Sequence, residues 1–317
     1  MRRLPVPPSK AGIRLDRYLQ ELFPGLSRQD VQDLIRDQRV FCNGQPGKKG
    51  RILAEGDCLD LVPGVARSAG EVRPDPEVRL EVLFEDSFLV GLAKPPGMSM
   101  HPLRGGGLGT LANGLVHCYP EMQGVGFSPR EPGLVHRLDR ETSGIVLAAR
   151  RAEAFEQLRL QFAQGRVTKI YLAVVHGSPS PGGVVNRAIG SRGRRSSRVG
   201  VAGNGKPRRP LRHLRPAETR FQVVRAVDRF SVVRLTMATG ARHQLRAHLA
   251  WIGHPVVGDR LYGAPGGLSG GTGEGPGRHL LHAAELRFFH PDDGRAMRLR
   301  CPLPADFQEF LERSGLA

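Results

Sequence analysis

A stretch rich in glycine, proline and charge, Gly64 to Pro76, cuts this chain into two parts whose apolar residues repeat with different periods. Before it, Leu15, Leu19 and Leu22 fall at i, i+4 and i+7, the stripe of an amphipathic helix. After it, from about Arg79, short apolar runs alternate with turn residues in the manner of strands. One uniform architecture does not accommodate both periods. The expectation is a small N-terminal domain over 1–63, a linker over 64–78 and a larger domain over 79–317. With 317 residues in all, each domain is long enough to bury its own core.

In the first part, Pro24-Gly25 ends the first helix, and Ser27 with Asp30 forms an S-x-x-D capping signal for a second. That second helix buries Val31, Leu34 and Ile35 and turns Arg28, Gln32 and Arg36 outward along one row. Val40-Phe41-Cys42 leads into Asn43-Gly44, a two-residue hairpin signal, and Cys58 to Val62 supplies a further strand. In the second part, Leu80 to Phe84, Phe88 to Ala93, Gly144 to Ala149 and Lys169 to His176 read as strands. Glu218 to Val227 and Phe230 to Ala238 read as a hairpin about Asp228-Arg229. Helices are expected around Phe155, Leu158 and Phe162 and over Ala241 to Ile252. Strands outnumber helices and are often hairpin-linked, which predicts an α+β fold around a mainly antiparallel sheet.

Charge narrows the function. Lys and Arg total 47 against 30 Asp and Glu, a formal net charge of +17. Such an excess repels itself, and a polyanionic partner is the usual reason for it. The basic residues concentrate between Arg187 and Arg220, where eleven face a single acid, Glu218; this reads as a basic loop or arm suited to phosphates. Gly263 to Gly277 is glycine-rich and reads as filler. The four cysteines show no C-x-x-C spacing, which argues against a zinc site or a disulfide framework and suits a reducing cytoplasm. Met1 to Lys10 has no apolar core for a signal peptide, and no apolar run nears the roughly 20 residues that span a bilayer. The eleven histidines lack metal-ligand spacing, so a metal-dependent hydrolase is a weak reading.

The segment Gly133-Leu134-Val135-His136-Arg137-Leu138-Asp139-Arg140-Glu141-Thr142-Ser143-Gly144 presents a polar cluster between apolar flanks. Arg137 and Arg140 on either side of Asp139 favour a carboxylate available as a nucleophile. On local chemistry alone, a structural Asp–Arg pair reads equally well.

This segment carries H-R-L-D-x-x-T-S-G and thereby resembles the RluA-type pseudouridine synthases. Five further strings agree in order: Lys94-Pro95-Pro96-Gly97 with His101-Pro102; Lys169-Ile170-Tyr171-Leu172-Ala173-Val174-Val175-His176-Gly177; His243-Gln244-Leu245-Arg246-Ala247-His248-Leu249; Gly253-His254-Pro255 with Gly258-Asp259 and Leu261-Tyr262-Gly263; and Leu281-His282-Ala283. The N-terminal helices and hairpin, about Ile13 to Val62, resemble the small RNA-binding module of ribosomal protein S-four. The resemblance implies a pseudouridine synthase fold, a mixed and mainly antiparallel sheet flanked by helices, with a small N-terminal α/β RNA-binding domain.

It also implies roles. Asp139 would act as nucleophile or base toward the ribose or the pyrimidine ring. Tyr171 would stack on the target base and help move a proton, and Arg246 would pair with Asp139. Arg137 would fill the space left by the extruded nucleotide. Arg140, Arg242, His243, Gln244, Arg28 and Arg36 would contact RNA. Ala241 departs from the family pattern, which commonly has Arg there, and Arg242 would supply that charge. The isomerisation adds and removes no atom, so no metal, redox or small-molecule cofactor is implied. The expected partner is RNA, ribosomal RNA of the large subunit first and transfer RNA second; a monomer without membrane contact is expected. A non-catalytic ribosome-assembly factor that keeps the fold is the competing reading, and the joint presence of Asp139, Tyr171 and Arg246 weighs against it.

Overall fold

The computed structural model describes residues 2–23, 28–62, 71–102, 107–126, 128–193, 196–203, 211–263 and 276–317. They divide into two compact units, Met1–Arg79 with Ser99–Gly133, and Leu80–Met98 with Leu134–Ala317.

The first unit opens with a strand, β1 (Arg2–Pro5), followed by helices α1 (Leu15–Leu22) and α2 (Arg28–Arg36) and strands β2 (Val40–Cys42), β3 (Gln45–Pro46) and β4 (Cys58–Leu61). The apolar stripes of the two helices meet in one cluster, with Leu15, Leu19, Val31, Leu34 and Ile35 packed on Val40, Leu59 and Leu61. Asn43 and Gly44 both take positive φ, 52° and 74°, which matches the twist of a tight hairpin. That hairpin joins β2 to β3, while β4 pairs with the other edge of β2, giving the order β1-β4-β2-β3. The N-terminal Arg2–Pro5, read from sequence only as lacking a signal peptide, is thus an edge strand registered Arg2 to Leu61. The Ser27 cap lies outside the described residues.

The expected linker needs correction in its second half. Residues 63–70 are outside the described set, but Val72, Asp75 and Val78 are buried. The Asp75 carboxylate accepts the amides of Glu77 and Gly109, and Asn113 on helix α3 (Leu111–Cys118) donates its side-chain amide to the Arg73 carbonyl. Composition suggested a spacer; side-chain hydrogen bonds make it part of a packed unit.

The second unit is built on one large sheet. Its strands are β5 (Glu81–Glu85), β6 (Leu89–Lys94), β7 (Ser143–Ala149), β8 (Thr168–His176), β9 (Gly182–Asn186), β13 (Glu218–Val227), β14 (Phe230–Met237), β15 (Leu281–Phe289) and β16 (Ala296–Arg300). A separate antiparallel sheet, ordered β11-β10-β12, contains β10 (Ile189–Ser191), β11 (Val199–Val201) and β12 (Arg212–Arg215). The basic segment 187–220 is therefore not simply a loop: Ile189 and Val199 anchor its small sheet in an apolar cluster with Ala217 and Ala247. Residues 194–195 and 204–210 lie outside the described set, as do 264–275 of the glycine-rich stretch.

The large sheet runs β5-β6-β7-β15-β8-β14-β13-β9. Pairing is antiparallel except between β7 and β15, where His282 and Ala283 lie parallel to Ser143 and Gly144. Beyond that point the same edge of β15 turns to β16, from Glu285 to Phe289. Gly144 makes this sharing possible, because a β-carbon there would fall 2.3 Å from the Ala283 carbonyl oxygen, and its φ is +112°. All seven residues of β7 are buried, as its continuous apolar run requires of a central strand. Helix α4 (Ala152–Ala163) packs on β7, and α5 (Gln244–Trp251) packs beside β11 and β13. Helix α6 (Ala305–Arg313) places Phe307 and Phe310 against Val174, Val232 and Leu280.

Candidate active site

The H-R-L-D-x-x-T-S-G segment is held residue by residue. His136 accepts the Leu147 amide through Nε2 (2.9 Å) and stacks on Phe162, so it is a structural side chain. Leu138 is buried. The Arg140 carbonyl accepts from Lys94 Nζ (3.0 Å), and the Glu141 carbonyl accepts from Arg278 Nη1 (3.0 Å). Thr142 Oγ1 is bonded to His279 Nε2 at 2.8 Å, and Ser143 Oγ to His282 Nδ1 at 3.0 Å. Four successive residues are thus clamped by Lys94 and by three residues of the 278–282 segment, and the Thr142 amide closes a turn on the Asp139 carbonyl.

Lys94 explains the K-P-P-G string. Its Nζ also donates to the carbonyls of Pro95 and Met98, so three acceptors surround one ammonium. Burial pulls its pKa down to about 7. Three carbonyl acceptors call for three N–H donors, which only the protonated form has, and this opposes the pull.

Asp139 itself emerges from this clamped turn half-buried, its side chain 24% exposed. Arg246 Nη1 donates to its Oδ2 at 2.7 Å. The guanidinium cannot swing, because its Nε and Nη2 both donate to Asp259, at 2.7 and 2.8 Å, in a two-pronged grip. The Asp259 side chain is fully buried. Burial alone would raise its pKa, yet Arg246 and the amides of Leu261 and Tyr262 hold it below the usual carboxylate range. One guanidinium therefore joins two carboxylates, one fully buried and one partly exposed.

The second Asp139 oxygen, Oδ1, stands 3.7 Å from His243 Nε2. Tyr262 Oη accepts the Val199 amide (2.9 Å) and lies 3.0 Å from His243 Nδ1. His243 caps α5 in a left-handed conformation, φ 54°. Burial lowers its pKa, with Asp139 opposing, so the ring is neutral near pH 7.

Tyr171 sits mid-strand in β8, opposite Leu235 and Ala283, and is buried. Burial first, and the charge of Asp139 second, push its phenol well above the ordinary value. The hydroxyl therefore keeps its proton at physiological pH and lies within electrostatic reach of Asp139.

Other sequence-based expectations change. Arg137 is exposed; Arg140 is also exposed and donates to the Gly97 carbonyl at 2.8 Å, and the arginine bonded to Asp139 is Arg246, 107 residues away. Gln244 is buried: its amide donates toward Glu218, Thr219 and Thr239 and its oxygen accepts from Ala241, so it staples the 239–241 turn and does not face an RNA. This turn also explains why α5 starts at Gln244 rather than Ala241. Ala241 is half-buried against the Ile189 cluster, while exposed Arg242 donates to the Ser197 carbonyl. In the first unit, Arg36 is tied to Asp33 and Asp37. Arg28 and Gln32 instead share a concavity of about 640 Å³ with Arg14, Arg17 and Lys49. Asp259, Lys94 and Arg278 had no role assigned from sequence; Lys94 and Asp259 stood only as members of the matching strings.

Two buried histidines, His279 and His282, and the half-buried His136 make the site acid-sensitive. Burial lowers His136 to about 3 and His279 and His282 to about 4, against 6.5 when free. Between pH 6.5 and 4 the unfolded chain binds protons at these positions that the folded chain does not. Their stabilising contribution is complete above pH 6.5 and is lost as pH falls through that window. Each should remove about 1.4 kcal/mol of stability per pH unit there. Urea unfolding midpoints measured from pH 7 to 4.5 should fall steeply, and a flat profile would refute this.

Among the described residues no cluster of three or more His, Cys, Asp or Glu could hold a metal ion, and no helix is long and apolar enough to cross a membrane.

Comparison with known proteins places this arrangement. Residues 89–251 match the family described as RNA pseudouridylate synthase, and residues 13–57 match the S4 domain. A Yersinia pestis protein named ribosomal large subunit pseudouridine synthase D is 34% identical over 96% of this chain and 91% of its own length. Its namesake in Escherichia coli strain K12 is 33% identical over 96% of this chain and 91% of its own length. The solved structure of human RNA pseudouridylate synthase domain containing 1 covers 74% of this chain and 87% of its own, at 29% identity and a TM-score of 0.57. With its clamped aspartate inside the matched segment and relatives matching nearly end to end, this chain is a pseudouridine synthase of the RNA pseudouridylate synthase family, carrying an N-terminal S4 domain.

Proposed function

We propose that this enzyme isomerises uridines of large-subunit ribosomal RNA, with Asp139 as the reacting carboxylate. The observation that carries the assignment is the 2.7 Å pair between Asp139 and an arginine that Asp259 holds immobile. Arg246 occupies Oδ2, while Oδ1 stands 3.7 Å from His243 Nε2, beyond hydrogen-bond reach, and is the oxygen left for a substrate atom.

The reaction breaks the bond from ribose carbon 1′ to uracil N1, turns the base and rejoins it through carbon 5. The proton on carbon 5 leaves and N1 gains one, so the product has the composition of the substrate. Asp139 acts on the ribose or the pyrimidine ring. Arg246 is a positioning residue for it. Tyr171 offers a ring for the base to stack on and a protonated hydroxyl to pass a proton. The balance calls for no metal, redox or small-molecule cofactor.

The base must leave its stack before any of this, at a cost of a few kcal/mol that contacts with the protein offset. Exposed Arg137, Arg140 and Arg242 lie around the catalytic turn, and Arg28 lines the concavity of the S4 module, where they are suited to phosphates. In this reading residues 1–63 bind RNA and residues 79–317 perform the chemistry, as a monomer in the cytoplasm.

Mapping pseudouridines across total RNA from a strain lacking the gene tests the substrate. One or more large-subunit positions should revert to uridine and be restored by the wild-type gene. Loss confined to transfer RNA would overturn the choice of RNA while leaving the chemistry in place.

A further inference from the structure

The chain has a single tryptophan, Trp251, and nothing in the catalytic arrangement uses it. It ends α5, and at 47% its exposure is high for so large an apolar side chain. Ala247, Ala250 and Trp251 fall at i, i+3 and i+4, one face of the helix, and Arg246 beside them reaches Asp139. The two alanines leave a recess beside the indole. Val199, Val201 and Tyr262 close it, and Arg192 and Arg198 stand at its rim, enclosing about 220 Å³.

Both arginines are exposed, and among the described residues neither is paired with a carboxylate. The Arg198 guanidinium lies 5.6 Å from the centre of the Tyr262 ring. That same ring lies 5.3 Å from the Arg246 guanidinium, and its hydroxyl bonds His243. A single side chain thus separates the recess from the groups around Asp139. The indole is also braced: Gly203 lies so close that a β-carbon there would fall 2.2 Å from Cη2. A ring held in place loses little freedom when something stacks on it.

An apolar slot with an aromatic wall and unpaired guanidinium groups at its mouth is matched by one kind of ligand, a flat base on an anionic backbone. We propose that this recess is a nucleotide subsite, in which a nucleotide flanking the target uridine stacks on Trp251 and sets its phosphates against Arg192 and Arg198. It rests on the RNA-modifying reading above and adds to it a fixed point for the strand beside the extruded base. Stacking there tolerates any base, since every base offers a π face.

Being the only tryptophan, Trp251 reports on its own occupancy. The full-length protein is titrated with polyuridylate and, separately, with heparin, a polyanion without bases. Polyuridylate should quench the fluorescence at saturation; heparin should bind without quenching. Trp251→Leu should weaken polyuridylate binding about tenfold and leave heparin unchanged, with Trp251→Phe restoring most of the loss. Arg192→Ala with Arg198→Ala should weaken both ligands and flatten the salt dependence. Pseudouridine formation on an unmodified large-subunit transcript is measured alongside. If wild-type protein makes the product but polyuridylate saturates without quenching, and Trp251→Leu binds it as tightly as wild type, the subsite is refuted. If quenching occurs but no product forms on that transcript, the subsite stands and the assigned substrate is wrong.

Discussion

Asp139→Asn should abolish pseudouridine formation, lowering the rate by on the order of 10⁴-fold or beyond detection, while RNA affinity stays within about threefold of wild type. The substitution keeps the shape of the side chain. The amide oxygen of Asn can still accept from Arg246 Nη1, whose position is set by Asp259 and not by Asp139. The turn is held through the carbonyls of residues 140 and 141 and the hydroxyls of Thr142 and Ser143, none of which is altered. What disappears is the charge and nucleophilicity of one oxygen. The checks are tritium release or mass-spectrometric mapping for activity, and filter binding for affinity. Turnover near the wild-type rate would remove Asp139 from the chemistry.

Asp259→Ala is expected to damage both stability and activity. It leaves the Arg246 guanidinium, only 8% exposed, with two of its donors unanswered. Removing one partner of a buried pair costs about 3–5 kcal/mol, because the remaining charge stays desolvated. The two amides of Leu261 and Tyr262 lose their acceptor as well. Arg246, no longer gripped, should lose its fixed aim at Asp139, so turnover should fall even in buffer where the variant is fully folded. Arg246→Lys makes the complementary test: one ammonium cannot reproduce a fork that holds Asp259 through two nitrogens and Asp139 through a third. Denaturant unfolding and single-turnover rates read the two effects separately. A variant of Asp259 with wild-type stability and rate would show that the grip on Arg246 has no consequence.

The two expectations differ in how far the sequence foresaw them. Asp139 was legible because the string around it resembles a known family. The structure supplies reasons for that string: His136 answers the Leu147 amide, Thr142 and Ser143 meet His279 and His282, and Gly144 admits the Ala283 carbonyl. Asp259 had no assigned role, since its importance lies in a partner on another element. The hairpin over Glu218–Val227 and Phe230–Met237 was read to within one residue, because alternation and a turn are local signals. The small sheet within 187–220 was not, because its strands are only three or four residues long and charge masks their alternation.

What the sequence determined by itself was local: helix stripes, the Asn43-Gly44 turn, the buried run of β7 and an excess of positive charge. These follow from interactions among neighbours in the chain. Only the tertiary structure decided that Asp259 holds the arginine that meets Asp139, that Gln244 turns inward, that Arg36 is occupied by two aspartates and that Trp251 stands beside Arg192 and Arg198. Burial and the competition of buried polar groups for partners settle such matters, and both depend on residues far apart in sequence.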